Sequence, residues 1–202
     1  MVTMEDLLSI EKKDLEERSK SLSKEDLSQL VEWLSEKEDM LRYHSLLMLQ
    51  YRSQFFDDVY PYWDIFCSKL KSDNSYQRNI GVMLIAENAR WDRENKLMNT
   101  IDEYLLILND EKPITIRQCI QSLNRIVTST AKFNDIIAEK LTSIHIEEMR
   151  ETMRKLILMD ILNILVLIQK SNRKKEIDIF ISNALTGGIL DNKSIKQIEK
   201  LL

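Results

Sequence analysis

Apolar residues recur along the chain at helical spacing, in segments that are separated by short polar breaks. After Pro113, for example, Ile116, Ile120 and Leu123 lie on one face of a helix. Ser23 directly precedes another such segment, where its side chain would cap a helix N-terminus. The pattern predicts about ten helices joined by short loops. They span 4–19, 23–35, 41–54, 62–71, 76–90, 94–108, 113–127, 134–144, 147–169 and 176–185, with a final turn or two in 194–202.

The composition excludes most other fold classes. Three glycines and two prolines among 202 residues are too few for the tight turns of sandwiches and barrels. With 44% apolar and 31% charged residues, the chain is typical of a folded, soluble protein. The most apolar stretch, 156–168, contains Asp160 and Asn163 and is too short to span a bilayer. The sequence therefore predicts a single all-α domain over residues 1–202 that does not enter a membrane.

Charge and cysteine content limit the partners to be expected. A net charge of −4 argues against a surface that binds nucleic acid. Cys67 and Cys119 have no nearby Cys or His with which to form a zinc site or a disulfide framework. The first ten residues lack the basic and apolar regions of a secretory signal. We therefore expect a cytoplasmic protein that needs no metal and no cofactor.

One position repeats from one predicted helical hairpin to the next. An arginine lies near the start of each second helix, and these arginines are 36, 39 and 37 residues apart: Arg42, Arg78, Arg117 and Arg154. Three of them follow a turn that contains an aspartate: Asp39, Asp73 and Asp110. Three positions after the arginines stand Ser45, Gly81, Ile120 and Ile157. An internal period of this length is typical of helical repeat proteins.

This arrangement resembles HEAT repeats, most clearly in the segments SDNSYQRNIGVMLIAEN and NDEKPITIRQCIQSL. The resemblance covers about 27–169, and it is weakest in the last unit, where Ile157 replaces the small residue. It implies a short right-handed α-solenoid of four to five hairpins in 23–170, with capping helices in 1–22 and 171–202. It also implies a structural ladder between repeats rather than a binding stripe, formed by Arg42, Arg78, Arg117, Arg154, Asp73 and Asp110.

In such a solenoid the second helices line a concave face, which is the expected binding surface. The candidate binding residues on that face are Tyr43, Asn79, Gln118, Gln121, Arg125 and Lys155. Few of these side chains are cationic, so the surface suits a protein or peptide better than a polyanion. The sequence thus predicts a noncatalytic protein–protein interaction or scaffold module, with nucleic acid not expected as its partner.

Asp160 is the one candidate for chemistry, because an unpaired carboxylate in an apolar helix is costly. A structural role would pair it with Arg125 or turn it toward solvent in the groove, and a functional role would make it a general base. His44 and His145 have no nucleophile nearby in the sequence. Small HEAT-like proteins include alkylpurine DNA glycosylases, whose catalytic aspartate is accompanied by tryptophans. In this alternative function Asp160 would act together with Trp63 and Trp91.

Two further alternatives concern the C-terminal part of the chain. A basic cluster is either a solvated loop or a contact for nucleic acid or an acidic partner: Lys170, Arg173, Lys174 and Lys175. A subunit that completes a longer solenoid would instead expose apolar residues of the terminal helices: Ile189, Leu190, Ile195, Ile198 and Leu201.

Overall fold

A computed structural model describes residues 2–202, and every regular element in this range is helical. The all-α prediction is therefore confirmed. The α-helices are α1 (Met4–Ser9), α2 (Leu15–Ser19), α3 (Lys24–Trp33), α4 (Asp39–Phe55), α5 (Trp63–Leu70), α6 (Ser75–Asn88), α7 (Lys96–Leu106), α8 (Pro113–Ser129), α9 (Asn134–Thr142), α10 (Glu151–Ser171), α11 (Lys175–Thr186) and α12 (Asn192–Glu199). Short 3₁₀ turns join several of them. None of the helices in residues 2–202 has both the length and the apolar character needed to cross a bilayer.

Side-chain caps and proline set several helix starts where the sequence predicts them. Ser23 Oγ accepts the Asp26 backbone N–H at 3.2 Å, and the Asp26 carboxylate accepts the Ser23 N–H at 2.9 Å. This reciprocal capping box begins α3. Asn74 Oδ1 accepts the Tyr76 N–H at 2.9 Å and caps α6 without a reciprocal bond. Pro113 is the first residue of α8, a position at which its missing N–H costs no hydrogen bond.

The first predicted helix, 4–19, is two short helices in the structure. The chain becomes extended at Ile10 and passes through a 3₁₀ turn at Lys12–Asp14 before α2 begins. The apolar stripe there is too thin to support one long helix, because Leu7 is the buried residue of α1 and Leu15 is the one large apolar side chain buried in α2.

The long helix predicted over 147–169 also starts later. Residues Ile146–Glu148 form a separate 3₁₀ turn, and Met149 is extended, so that α10 begins at Glu151.

The chain divides into two compact units, Met1–Tyr104 and Leu105–Leu202. Residue 1 lies outside the part of the chain that the structure describes. In the first unit α4 packs against α2, α3 and α6, and α5 packs against α6. The largest side chains with almost no exposure are Trp63, Tyr104 and Phe66. Gly81 allows α5 and α6 to approach closely, because a Cβ atom there would lie 2.7 Å from the Phe66 carbonyl oxygen.

The second unit is built around α10, which packs against α8, α9, α11 and α12. Its core is mainly aliphatic, with Ile120, Leu123, Ile161 and Leu165 fully buried. Of the terminal apolar residues, Leu190 and Ile198 are buried against the unit itself.

Helices α8 and α10 lie side by side and run in the same direction. Arg117 and Gln121, in the first half of α8, both contact Asp160 near the middle of α10. Asn134, just beyond the end of α8, donates to Ser171 Oγ at the last residue of α10, at 2.9 Å. This parallel pair forms the two walls of the groove described next.

Candidate functional site

A groove with a volume of about 610 Å³ lies along α8 and α10 within the second unit. We call it the α8–α10 groove. Its lining residues are Gln121, Asn124, Arg125, Asp160, Asn163, Ile164, Val166, Leu167, Lys170 and Leu201. The groove brings together two of the predicted binding residues, Gln121 and Arg125, with Asp160, the carboxylate in the apolar helix.

Asp160 lies at the edge of the groove and is nearly buried, with about 9% of the residue exposed. Arg117 Nε donates to Asp160 Oδ2 at 2.6 Å, and Gln121 Nε2 donates to Asp160 Oδ1 at 3.0 Å. Both carboxylate oxygens are therefore engaged by N–H donors. This arrangement compensates the cost of burying the charge, and it does not present a base to a substrate.

The ion-pair partner of Asp160 differs from the one that the sequence suggested. The sequence suggested Arg125, which lines the same groove, whereas the 2.6 Å ion pair comes from Arg117. The two arginines are eight residues apart and project from similar faces of α8. Sequence spacing does not fix the axial shift between α8 and α10, so it cannot choose between them.

The other three repeated arginines make a different kind of contact, each binding a backbone carbonyl in the turn before its own helix. Arg42, Arg78 and Arg154 donate to the carbonyl oxygens of Glu36 (2.8 Å), Ser72 (2.7 Å) and Glu147 (2.7 Å). Arg42 also pairs with the Asp39 carboxylate. These arginines hold their own hairpin turns, whereas Arg117 reaches from α8 to α10.

The aspartates of the expected ladder take part in the same turns. The Asp73 carbonyl accepts a hydrogen bond from Arg78 at 3.0 Å. The Asp110 carboxylate accepts the Lys112 backbone N–H at 2.8 Å, just before α8.

Two other predicted binding residues of the second unit contact residues of the same unit. Gln118 Nε2 donates to Ser122 Oγ at 3.3 Å on the same helix. Lys155 Nζ pairs with the Asp191 carboxylate at 2.5 Å. The hydrogen bond from Lys155 and the Ser194 N–H hold the pKa of Asp191 well below its usual value. Lys155 thus ties α10 to the start of α12.

Tyr43 and Asn79, the remaining predicted binding residues, lie in the first unit. The Tyr43 ring is 39% exposed and faces the Lys12 ammonium, which is 5.3 Å from the ring centroid. Asn79 is half-buried on α6.

The tryptophans of the glycosylase alternative are packing residues of the first unit. Trp63 is about 1% exposed, and its Nε1 donates to Thr100 Oγ1 at 3.2 Å. Trp91 Nε1 donates to the Ser53 carbonyl oxygen at 2.7 Å. Both indole N–H groups are thus used within the unit, and the ring of Trp63 has almost no free surface for a base.

The histidines and cysteines show no arrangement for nucleophilic chemistry. His44 is buried and its Nδ1 lies 3.0 Å from the Leu7 carbonyl oxygen. Burial raises the pKa of both Cys67 and Cys119, which is the opposite of an activated thiol. Residues 2–202 contain no group of His, Cys, Asp and Glu side chains placed to hold a metal ion.

The groove also contains residues that sequence reasoning did not select for binding. Asn124 and Leu167 line its walls, and Asn163 stands one turn after Asp160 on α10. The available signal was their spacing: Asn163, Leu167 and Lys170 follow Asp160 at three- and four-residue steps along one helical face.

No family model, no curated protein and no solved structure matches this chain. The groove must therefore be interpreted from its own chemistry.

Proposed function

We propose that the protein is a noncatalytic interaction module, built from HEAT-like hairpins arranged as a short α-solenoid, that binds a peptide or protein segment in the α8–α10 groove. The observation that carries this proposal is the composition of the groove. Amide and cationic side chains surround a partly apolar channel in which the carboxylate of Asp160 is already engaged. The cytoplasmic setting is part of the same proposal.

The repeated arginine contacts support the solenoid part of the proposal. Arg42, Arg78 and Arg154 occupy equivalent places at the starts of α4, α6 and α10, and each holds the turn that precedes its helix. Equivalent hairpins that cannot bury their apolar faces alone gain stability by stacking on one another.

The size and chemistry of the groove support a peptide ligand. Its volume of about 610 Å³ falls within the usual range for ligand pockets, about 300–1,000 Å³. Asn124 and Asn163 each offer an amide donor and an amide acceptor, which match the N–H and C=O groups of a peptide backbone. Leu167 and the exposed Leu201 provide an apolar surface for side chains.

Affinity capture with a blocked groove tests this proposal. Asn124 is exposed on α8, and Asn124→Trp would fill the groove from its rim. The matched control is Asn192→Trp, which places the same bulk on exposed surface at the start of α12. Wild type and both variants are used as bait in nuclease-treated lysate, and the bound proteins are identified by mass spectrometry.

We expect a protein that is retained by wild type and by Asn192→Trp and is lost with Asn124→Trp. Retention of every bound protein by Asn124→Trp would contradict the groove as the binding surface. Recovery of nucleic acid alone in a parallel capture without nuclease would contradict the proposal of a protein partner.

A further inference from the structure

We propose that the segment bound by the α8–α10 groove is an acidic peptide segment that carries apolar anchor residues, with its carboxylates close to Lys170. This inference rests on the proposed function and adds the chemistry of the partner. It is argued from the charges of the groove, from the surroundings of Lys170 and from the surface that continues beyond it.

The charges at the groove do not cancel. The one carboxylate in its lining, Asp160, is neutralised by Arg117, whose Nε atom lies 2.6 Å from Asp160 Oδ2. Arg125 and Lys170 remain as the other charged residues of the lining. The lining thus contains two cationic side chains and one carboxylate that is already paired, although the whole chain carries a net charge of −4. A cleft lined mainly by one sign of charge attracts ligands of the opposite sign.

Lys170 is the cation most available to a ligand. It is exposed in the last turn of α10 and makes no ion pair with any side chain in residues 2–202. Two of its neighbours in the basic cluster are already engaged, since Arg173 pairs with Asp178 at 3.1 Å and Lys174 pairs with Asp135 at 2.5 Å. Lys175 does not line the groove, so Lys170 is the ammonium group that the cluster places at its edge.

The surface continues beyond Lys170 into a second depression of about 360 Å³. The two depressions share Val166 and Lys170, and the second also includes the ion pair of Arg173 with Asp178 and the apolar residues Leu185 and Leu202. An apolar surface thus flanks Lys170 on both sides. Asp160 and Lys170 are ten residues apart, or about 15 Å along the helix, which matches a bound helix of about ten residues or an extended segment of about five.

The apolar surface favours an acidic peptide over a nucleic acid. A nucleic-acid strand needs a row of cations along its backbone, and base stacking commonly uses aromatic side chains. The groove lining contains two cations and no aromatic residue, while Leu167 and the exposed Leu201 offer apolar contacts. A peptide with alternating acidic and apolar side chains satisfies both features at once.

Selection from a random peptide library tests the inference directly. A displayed library of 12-residue peptides is selected on immobilised wild-type protein, and the enriched sequences are then measured by fluorescence anisotropy. Lys170→Glu reverses the charge at the groove. Lys193→Glu makes the same change on exposed surface at the start of α12 and is the matched control. A single-stranded oligonucleotide serves as the competing polyanion.

We expect the enriched peptides to combine Asp or Glu with Leu, Ile or Phe, and their affinity to fall as the salt concentration rises. Lys170→Glu should weaken binding about tenfold, and Lys193→Glu should change it less than about twofold. Enriched peptides that are neutral or basic, or equal effects of the two variants, would overturn the inference while leaving peptide binding intact.

Two further outcomes are decisive. If no peptide is enriched on wild-type protein, the proposed function itself fails and the inference fails with it. If the oligonucleotide displaces the enriched peptides and binds more tightly, the partner is a nucleic acid and the inference is overturned.

Discussion

Residues 1–104 contain twelve of the fourteen aromatic side chains of this protein and five isoleucines, whereas residues 105–202 contain two aromatic side chains and nineteen isoleucines. In the first unit, aromatic N–H and O–H groups make directional bonds. Trp63 donates to Thr100, Trp91 donates to the Ser53 carbonyl, and Tyr60 donates to Asp92 at 2.8 Å. The second unit relies on branched aliphatic packing.

The two units also bury different amounts of charge. The first unit buries Asp26, Arg52, Lys69 and Glu87, whereas Asp160 is the buried charged residue of the second unit. A unit held by many directional contacts has one preferred arrangement of its side chains, while an aliphatic core tolerates exchanges of similar volume. The candidate groove lies in the aliphatic unit, where a single ion pair with Asp160 organises the walls.

The largest expected effect comes from the aromatic core of the first unit. Trp63→Ala should lower the free energy of unfolding by about 3–5 kcal/mol, because a fully packed indole is replaced by a cavity. Urea unfolding monitored by circular dichroism measures this change.

The contrast between the units is tested by two conservative substitutions. Trp63→Phe leaves the Thr100 hydroxyl without its indole donor, while Ile161→Leu keeps the volume of the second core and should cost less than about 1.5 kcal/mol. A larger cost for Ile161→Leu than for Trp63→Phe would remove the distinction.

The next effect concerns the buried ion pair of the second unit. Arg117→Met should destabilise the protein by about 2–3 kcal/mol, because the buried Asp160 carboxyl would lose its ion-pair partner and keep Gln121 as its remaining donor among the contacts described above. The double variant Arg117→Met and Asp160→Leu removes both charges. We expect it to regain most of the loss in the same unfolding assay. If the double variant is as unstable as Arg117→Met, the ion pair contributes more to stability than the compensation of the two buried charges.

Gly81 and Ile120 occupy the same place, three residues after the repeated arginine, and alanine should destabilise the protein at both positions for opposite reasons. Gly81→Ala places a Cβ 2.7 Å from the Phe66 carbonyl oxygen and should cost about 1–3 kcal/mol by overpacking, although alanine is the better helix former. Ile120→Ala should destabilise by leaving a cavity, because Ile120 is fully buried. A more stable Gly81→Ala variant would contradict the close contact of α5 and α6.

The smallest expected effect is a dependence on pH that arises in the first unit. Lys69 Nζ donates to Ser35 Oγ at 3.0 Å and to Gln77 Oε1 at 2.5 Å, and burial lowers the pKa of this ammonium group below its ordinary value of 10.5. As the pH rises through the lowered pKa toward 10.5, the folded state loses the proton first. The stability of wild type should therefore increase with pH relative to Lys69→Met. Unfolding of both proteins at several pH values between 7 and 10 measures the difference, and parallel curves would contradict the burial of a charged Lys69.

Local signals made much of the fold predictable, and the missing parts depend on contacts between helices. Ser23 and Pro113 mark helix starts in the sequence because capping and proline geometry act over three or four residues. The break at Ile10 was missed, since no proline or glycine marks it and too few apolar residues continue the helix.

The site was predictable only in part for the same reason. Gln121 and Arg125 could be placed on an exposed face of α8 from periodicity, and the structure puts both in the α8–α10 groove. The partner of Asp160 and the inclusion of Asn124 depend on how far α8 is shifted along α10, which is decided by packing of whole surfaces.

Site-specific photo-crosslinking tests the central claim, that a protein partner contacts the second unit at the α8–α10 groove. A benzophenone amino acid is placed at Asn124 in the groove and, in a separate protein, at the exposed Tyr43 of the first unit. After irradiation in nuclease-treated lysate, the account predicts a crosslinked protein from position 124 that is lost when an excess of the unlabelled wild-type protein is added. A crosslink from position 43 with none from position 124 would contradict it.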